Sequence, residues 1–97
     1  MSLNKYIITK LQKLKPVLND KYGLERFGIF GSQVRDDWNE NSDVDIIIFE
    51  MKNKSFDNFM ELKEFLENKL EKKIDIGFYD ALNTYIKNKI NKEILYV

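Results

Sequence analysis

The feature of this sequence that most restricts its fold is a pair of apolar segments separated by a polar one. The first apolar segment ends at Phe30, directly before Gly31, and the second covers residues 46–49. Short apolar runs bounded by turn-forming and polar residues are typical of buried strands. We therefore predict two strands joined by a tight turn, a short helix over residues 33–38 and a loop.

Two carboxylates stand where the second of these strands begins. Asp43 and Asp45 are two residues apart, and alternate residues of a strand point to the same face. Two like charges about 5 Å apart repel by roughly 3 kcal/mol at an effective dielectric constant of about 20. Arg35 is the only basic residue nearby in the sequence, so a hard divalent cation such as Mg²⁺ is the better candidate to balance both charges.

The turn between the strands has the properties of a phosphate-binding corner. Gly31 allows close approach of a ligand to the backbone, and Ser32 follows it directly. The predicted helix over residues 33–38 would point its free N–H groups at an anion. Together with a metal on the two aspartates, this corner predicts a binding site for a nucleoside triphosphate.

The combination of these residues is more specific than any one of them. Gly31 and Ser32, followed after ten residues by Asp43-x-Asp45, resemble the signature of the polymerase-β-type nucleotidyltransferase superfamily. The neighbouring Arg35 strengthens the resemblance to its smallest members, the minimal nucleotidyltransferases (MNT proteins). The resemblance extends from the first predicted strand, which covers residues 24–30, to the C-terminus.

The resemblance also assigns expected roles to single residues. The superfamily has a third acidic residue in an adjacent strand, and Asp75, within the predicted strand 74–78, matches it. It implies that two Mg²⁺ ions and ATP occupy the site. The implied catalytic and metal-binding residues are Asp43, Asp45 and Asp75, and the implied nucleotide-binding residues are Gly31, Ser32, Arg35 and Ser42.

A protein partner is a further implication of the resemblance. Minimal nucleotidyltransferases of this type are typically paired with HEPN-domain ribonuclease toxins, which they neutralise as antitoxins. The resemblance implies transfer of AMP from ATP to a tyrosine hydroxyl of the toxin. The chain is short for a complete transferase, so we expect a docked partner, a second copy or another subunit to complete the site.

Composition excludes several other kinds of chemistry. The 97 residues include no Cys and no His, which excludes disulfides, thiolate zinc sites and histidine bases. The 16 basic and 16 acidic residues balance, which argues against direct binding of nucleic acid as the main function. No apolar run has membrane-spanning length and no signal-peptide core is present, so we expect a cytoplasmic protein.

The remaining pattern predicts one α+β domain over residues 1–97. Helical spacing of apolar residues predicts three further helices: one over residues 3–22, stopped by Gly23 and kinked or restarted at Pro16, one capped by Ser55 and running to about Leu70, and one over residues 81–93. A short edge strand closes the chain over residues 94–97. We expect a small mixed sheet with helices mainly on one face, the palm-like fold of nucleotidyltransferases.

Three other functions remain compatible with the sequence. The chain could be an antitoxin that neutralises its toxin by binding alone, with an inactive site. It could be a small-molecule nucleotidyltransferase, for example one that modifies aminoglycosides as a dimer. The third alternative is a structural α/β domain whose aspartates are merely solvated.

Overall fold

A computed structural model describes residues 4–31 and 42–97 of the chain. Ser32, Arg35 and the predicted short helix over residues 33–38 lie outside the described residues. The described elements are α1 (Lys5–Tyr22), β1 (Leu24–Phe30), β2 (Val44–Met51), α2 (Phe56–Leu70), β3 (Ile74–Phe78), a 3₁₀ turn (Tyr79–Ala81), α3 (Thr84–Glu93) and β4 (Leu95–Tyr96).

The four strands form one mixed sheet in the order β3-β2-β1-β4. β1 pairs antiparallel with β2 and with β4, whereas β2 pairs parallel with β3. A parallel pair needs a crossover connection, and α2 supplies it between β2 and β3. The α+β class and the mixed sheet predicted from the sequence are confirmed, and β2 is a central strand as its apolar run indicates.

The main core lies on the sheet face that α1 and α2 cover. Alternate β2 residues point to this face, and Ile46 and Ile48 are almost fully buried there beside Phe27 of β1. Leu11 of α1 and Leu66 of α2 pack into the same cluster with no exposed surface. The opposite face carries Asp45 and Ile47, and α3 covers only part of it.

The ends of the first two helices follow from local sequence. Gly23 ends α1 in the left-handed conformation at φ 71°, and its N–H donates to the Asn19 carbonyl. Ser55 caps α2 by accepting a hydrogen bond from the Asn58 N–H. Of the kink or restart predicted at Pro16, the restart is wrong, because α1 continues through that residue.

Other details of the helical predictions are also wrong. α3 begins at Thr84 rather than at residue 81, because Asn83 caps it by accepting from the Ile86 N–H. Four large apolar residues whose spacing fits the predicted amphipathic helices are exposed: Tyr6, Phe56, Met60 and Tyr85. Within residues 4–31 and 42–97, none of the helices combines the length and apolar character needed to cross a membrane.

Candidate active site

The candidate site is built from residues at one end of the two central strands and their neighbour β3. The strand register places Asp45 opposite Phe30 of β1 on one side and opposite Asp75 of β3 on the other. Paired residues of adjacent strands share a face of the sheet, and adjacent strands lie about 4.8 Å apart. Asp45 and Asp75 therefore project side by side from the face opposite the main core.

If Asp43, Asp45 and Asp75 bind metal together, Asp75 must lie on the same face of the sheet as Asp45. An Asp75 side chain on the core face would separate it from Asp45, and the structure shows the two on the same face. Asp75 is exposed and Asp45 is half-buried. An aspartate between two isoleucines is unfavourable in a strand. The position of Asp75 beside Asp45 is therefore better explained by ligand binding than by packing.

Asp43 immediately precedes β2. It is half-buried, and the following residue, Val44, donates its N–H to the Lys73 carbonyl before β3. Asp43 and Asp45 each take part in an interaction within the structure, so neither residue is without a partner.

Gly31 forms the corner on the other side of Asp45. Its φ is +87°, a backbone conformation that residues other than glycine rarely adopt. A Cβ added to Gly31 would overlap Oδ2 of Asp45 and would lie 3.3 Å from its Cγ. The aspartate carboxylate therefore packs directly against the glycine backbone, which explains why the sequence needs glycine here.

A matched pair of glycine substitutions tests this packing. We expect Gly31→Ala to lower the free energy of unfolding by at least about 1–2 kcal/mol, because alanine is strained at positive φ and its methyl group displaces Asp45. Gly77→Ala in β3 is the control, since a Cβ there meets no atom within 4 Å. Chemical denaturation of both variants measures the effect, and equal stabilities would contradict the proposed packing of Gly31 against Asp45.

The described residues also limit what the site can bind by itself. Within residues 4–31 and 42–97, no three acidic side chains converge closely enough to form a ready-made metal cage. The adjacent carboxylates of Asp45 and Asp75 instead suit Mg²⁺, which binds through one or two carboxylates and completes its shell with water and substrate phosphates. The carboxylates of Asp45 and Asp75 thus fit a magnesium ion that binds together with a nucleotide.

A pocket of about 330 Å³ opens on the same face of the sheet. Asp45 and Asp75 supply its charged groups, and apolar residues of β1, β2, β3 and α3 supply most of its wall. A larger groove of about 490 Å³ runs along the outer surface of α1, around Lys5 and Lys13. It lies across the sheet from the two aspartates, so the smaller pocket is the one that belongs to the candidate site.

Several site residues predicted from the sequence have now been located. Asp45 and Asp75 pair across β2 and β3, Gly31 directly follows β1 and packs against Asp45, and Ser42 and Asp43 directly precede β2. Ser32 and Arg35 cannot be placed, because they are outside the described residues. Reasoning from sequence missed the contribution of the segment after β3, where Leu82, before α3, and Ile86 of α3 line the pocket.

Comparison with protein families gives one match that covers most of the chain. Residues 12–97 match the family described as polymerase beta, nucleotidyltransferase. The protein adenylyltransferase MntA of Thermococcus cleftensis is 35% identical over 83 residues, which cover 86% of this chain and 84% of that protein. A Methanocaldococcus jannaschii protein, provisionally named a protein adenylyltransferase, is 38% identical over 90 residues, 90% of each chain.

Solved structures show the same fold at lower sequence identity. A protein described as a minimal nucleotidyltransferase superposes with a TM-score of 0.75 at 24% identity, over 98% of this chain and 95% of that one. A chain of a toxin–antitoxin complex crystallised with AMP-PNP superposes with a TM-score of 0.72 at 22% identity, over 91% of this chain and 69% of that one. A chain of the toxin–antitoxin complex MntA-HepT gives 0.65 at 18% identity, over 91% and 68%.

Proposed function

We propose, since this chain belongs to the polymerase beta nucleotidyltransferase family, that it transfers AMP from ATP to a tyrosine hydroxyl of a HEPN ribonuclease toxin and so acts as its antitoxin. The observation that carries the proposal is that Asp45 stands beside Asp75 on the open face of the sheet and packs against the Gly31 corner. The resemblance to minimal nucleotidyltransferases seen in the sequence is confirmed by the family match and by the fold.

The identity of the acceptor is supported by relatives rather than by the site alone. Similar proteins are named protein adenylyltransferases, and similar folds occur in toxin–antitoxin complexes, one of them crystallised with the ATP analogue AMP-PNP. A protein acceptor and an adenosine nucleotide are therefore the substrates that this comparison favours. Tyrosine and the HEPN class of toxin are our extension to this chain.

The reaction balances with one bond formed and one bond broken. The acceptor oxygen forms a bond to the α-phosphorus of ATP, the bond from that phosphorus to the bridging oxygen of the β-phosphate breaks, and pyrophosphate leaves. The proton of the acceptor hydroxyl passes to a base. Asp75 is our candidate for that base, because its exposed carboxylate stands at the edge strand, where a partner side chain can reach it.

The other side chains hold the nucleotide in place for this step. Asp43 and Asp45 would hold two Mg²⁺ ions together with the triphosphate, and Asp75 would share one of these ions. When bound, magnesium neutralises charge on the phosphates and lowers the pKa of an attacking oxygen. Gly31 and Ser32 would bind the phosphates, Arg35 and Ser42 would assist, and most of the rate would come from such positioning.

A labelling experiment tests the proposal directly. We expect purified chain, Mg²⁺ and ATP labelled at the α-phosphate to label its cognate HEPN-type toxin. ATP labelled at the γ-phosphate should give no labelled protein, because pyrophosphate carries that phosphate away. EDTA should abolish labelling, since two carboxylates without a metal leave the triphosphate charge uncompensated.

Tyrosine as the acceptor is tested by mapping the label on the toxin by mass spectrometry. AMP on a tyrosine supports the proposal, and AMP on serine or threonine would limit it to protein adenylylation. An intact cognate toxin that acquires no α-label at saturating ATP would contradict the proposed activity.

A further inference from the structure

The face that carries Asp45 and Asp75 also carries an unusual glycine. Gly77 lies in β3 two residues after Asp75, and it pairs with Ile47 of β2. Alternate residues of a strand share a face, so Gly77 lies on the face of the two aspartates. Glycine in the interior of a strand is unfavourable, and it often marks a place where a ligand approaches the backbone closely.

No packing requirement of the described residues explains Gly77. A Cβ built on this residue would meet no atom within 4 Å, whereas one built on Gly28 would meet Ile94 at 2.8 Å. Gly28 is therefore required by the close approach of the chain after α3. Gly77 instead leaves open the floor of the pocket whose far wall is formed by Leu82 and Ile86.

The position of the pocket relative to Gly31 indicates which substrate enters it. In phosphoryl and nucleotidyl transfer, the attacking and leaving oxygens lie roughly in line with the phosphorus between them. If the phosphates bind at the Gly31 corner, the leaving pyrophosphate is on the β1 side of Asp45. The attacking oxygen then comes from the β3 side, where Asp75 and Gly77 lie.

The chemistry of the pocket fits one class of side chain. Its wall is mainly apolar, and its charged groups are the two carboxylates. A volume of about 330 Å³ is at the small end of the range for ligand pockets, roughly 300–1,000 Å³, which suits a single inserted side chain. A tyrosine has the matching form, because an apolar ring ends in a hydroxyl that needs a polar partner.

We infer that the pocket above Gly77 receives the ring of the acceptor tyrosine and directs its hydroxyl to Asp75. This inference rests on the proposed function and adds the residues that select the acceptor. Gly77 acts as a positioning residue, since its missing side chain makes room for the ring. Leu82, just before α3, and Ile86 of α3 would pack against the ring.

Filling the pocket from Gly77 tests the inference without a packing penalty. Gly77→Val adds a β-branched side chain that strands favour, and its Cβ has open space. We expect a stability equal to or greater than that of the parent, an unchanged Kd for ATP, and transfer to the toxin slower by about 100-fold, the effect of a misplacement of about 1 Å. Gly77→Ala should give a smaller loss.

The matched control adds the same side chain outside the pocket. Asn88 is exposed on α3 and does not line the pocket, so Asn88→Val should transfer AMP at the parent rate. Transfer at the parent rate by Gly77→Val would overturn the inference. A loss of ATP affinity by Gly77→Val in step with transfer would also overturn it, because the pocket would then hold the nucleotide.

A binding measurement separates this inference from the proposed function. In an NMR titration with N-acetyl-tyrosinamide, we expect shifts at the Gly77 amide and at the Ile47 and Ile86 methyl groups, and weaker shifts with N-acetyl-serinamide. Such shifts would support the pocket even if the parent failed to label its toxin, a failure that would count against the proposed function alone. Absence of shifts at Gly77 at saturating tyrosinamide would overturn the inference.

Discussion

Asp45→Asn is expected to reduce AMP transfer by on the order of 10³-fold or more while the protein stays folded. Asparagine keeps the shape of the side chain and removes the negative charge that Asp45 directs at the substrate side of the sheet. Loss of one preorganised electrostatic group in an active site typically costs about 10²–10³ in rate. Asp45 should reach or exceed the top of that range, because it lies between Gly31 and Asp75 and would hold the metal that neutralises the phosphates.

The measurement is the initial rate of α-label transfer at saturating ATP, alongside thermal unfolding of the variant. Asp20→Asn is the matched control, since Asp20 is exposed on α1, which packs on the opposite face of the sheet. It should transfer AMP at the parent rate. A transfer rate for Asp45→Asn within a few-fold of the parent would exclude this carboxylate from the reaction.

A double variant separates neutralisation by catalysis from neutralisation by binding alone. If the chain acts by modifying the toxin, cells that express the toxin with Asp43→Asn/Asp45→Asn should lose protection. Full protection by this double variant, with complex formation retained, would show that binding alone neutralises the toxin. The complex can be measured by size-exclusion chromatography of the two purified proteins.

Asp75→Asn is expected to slow transfer by about 10²–10⁴-fold, the usual contribution of a positioned general base. The kinetic effect of this substitution should differ from that of Asp45→Asn. Asp75 lies on the β3 side of Asp45, where we propose that the acceptor enters. We expect kcat to fall while the Kd for ATP changes little. The exposed position of Asp75 predicts no loss of stability, so thermal unfolding should match the parent.

Asp80→Asn provides the control for this second variant. Asp80 is also exposed and follows β3 closely, but it does not line the pocket. Its neutralisation changes the local charge by the same amount and should leave kcat unchanged. Equal effects of the two substitutions would mean that Asp75 acts only through the local charge, and a parent-like kcat for Asp75→Asn would remove it from the mechanism.

The strands were the part of the fold that the sequence predicted best. The predicted limits of β1 at Leu24 and Phe30, and of β3 at Ile74 and Phe78, are those of the structure. β1 lies between Gly23 and Gly31, and β3 begins directly after the basic pair Lys72-Lys73, so local sequence marks these ends. The cap at Ser55 and the stop at Gly23 were predicted for the same reason, because each depends on one local backbone interaction.

The exposed aromatic residues were predicted less well. Helical spacing places Phe56, Phe59 and Met60 near one stripe of α2, yet Phe56 is 74% exposed while Phe59 packs against Phe78 at a ring distance of 5.5 Å. Periodicity gives the direction of an apolar face but not its width. That width depends on how far the sheet and the neighbouring helix extend, which is a property of the assembled fold.

The sequence by itself determined the glycine corner, the spacing of Asp43 and Asp45 and the strand that contains Asp75, because each is local in the chain. Only the tertiary structure decided that Asp75 lies beside Asp45, since that register depends on a parallel pairing across the whole of α2. The pocket above Gly77 was likewise invisible in the sequence. An empty space exists only once β2, β3 and α3 have packed around it, and no pattern of residues along one segment specifies the absence of a neighbour.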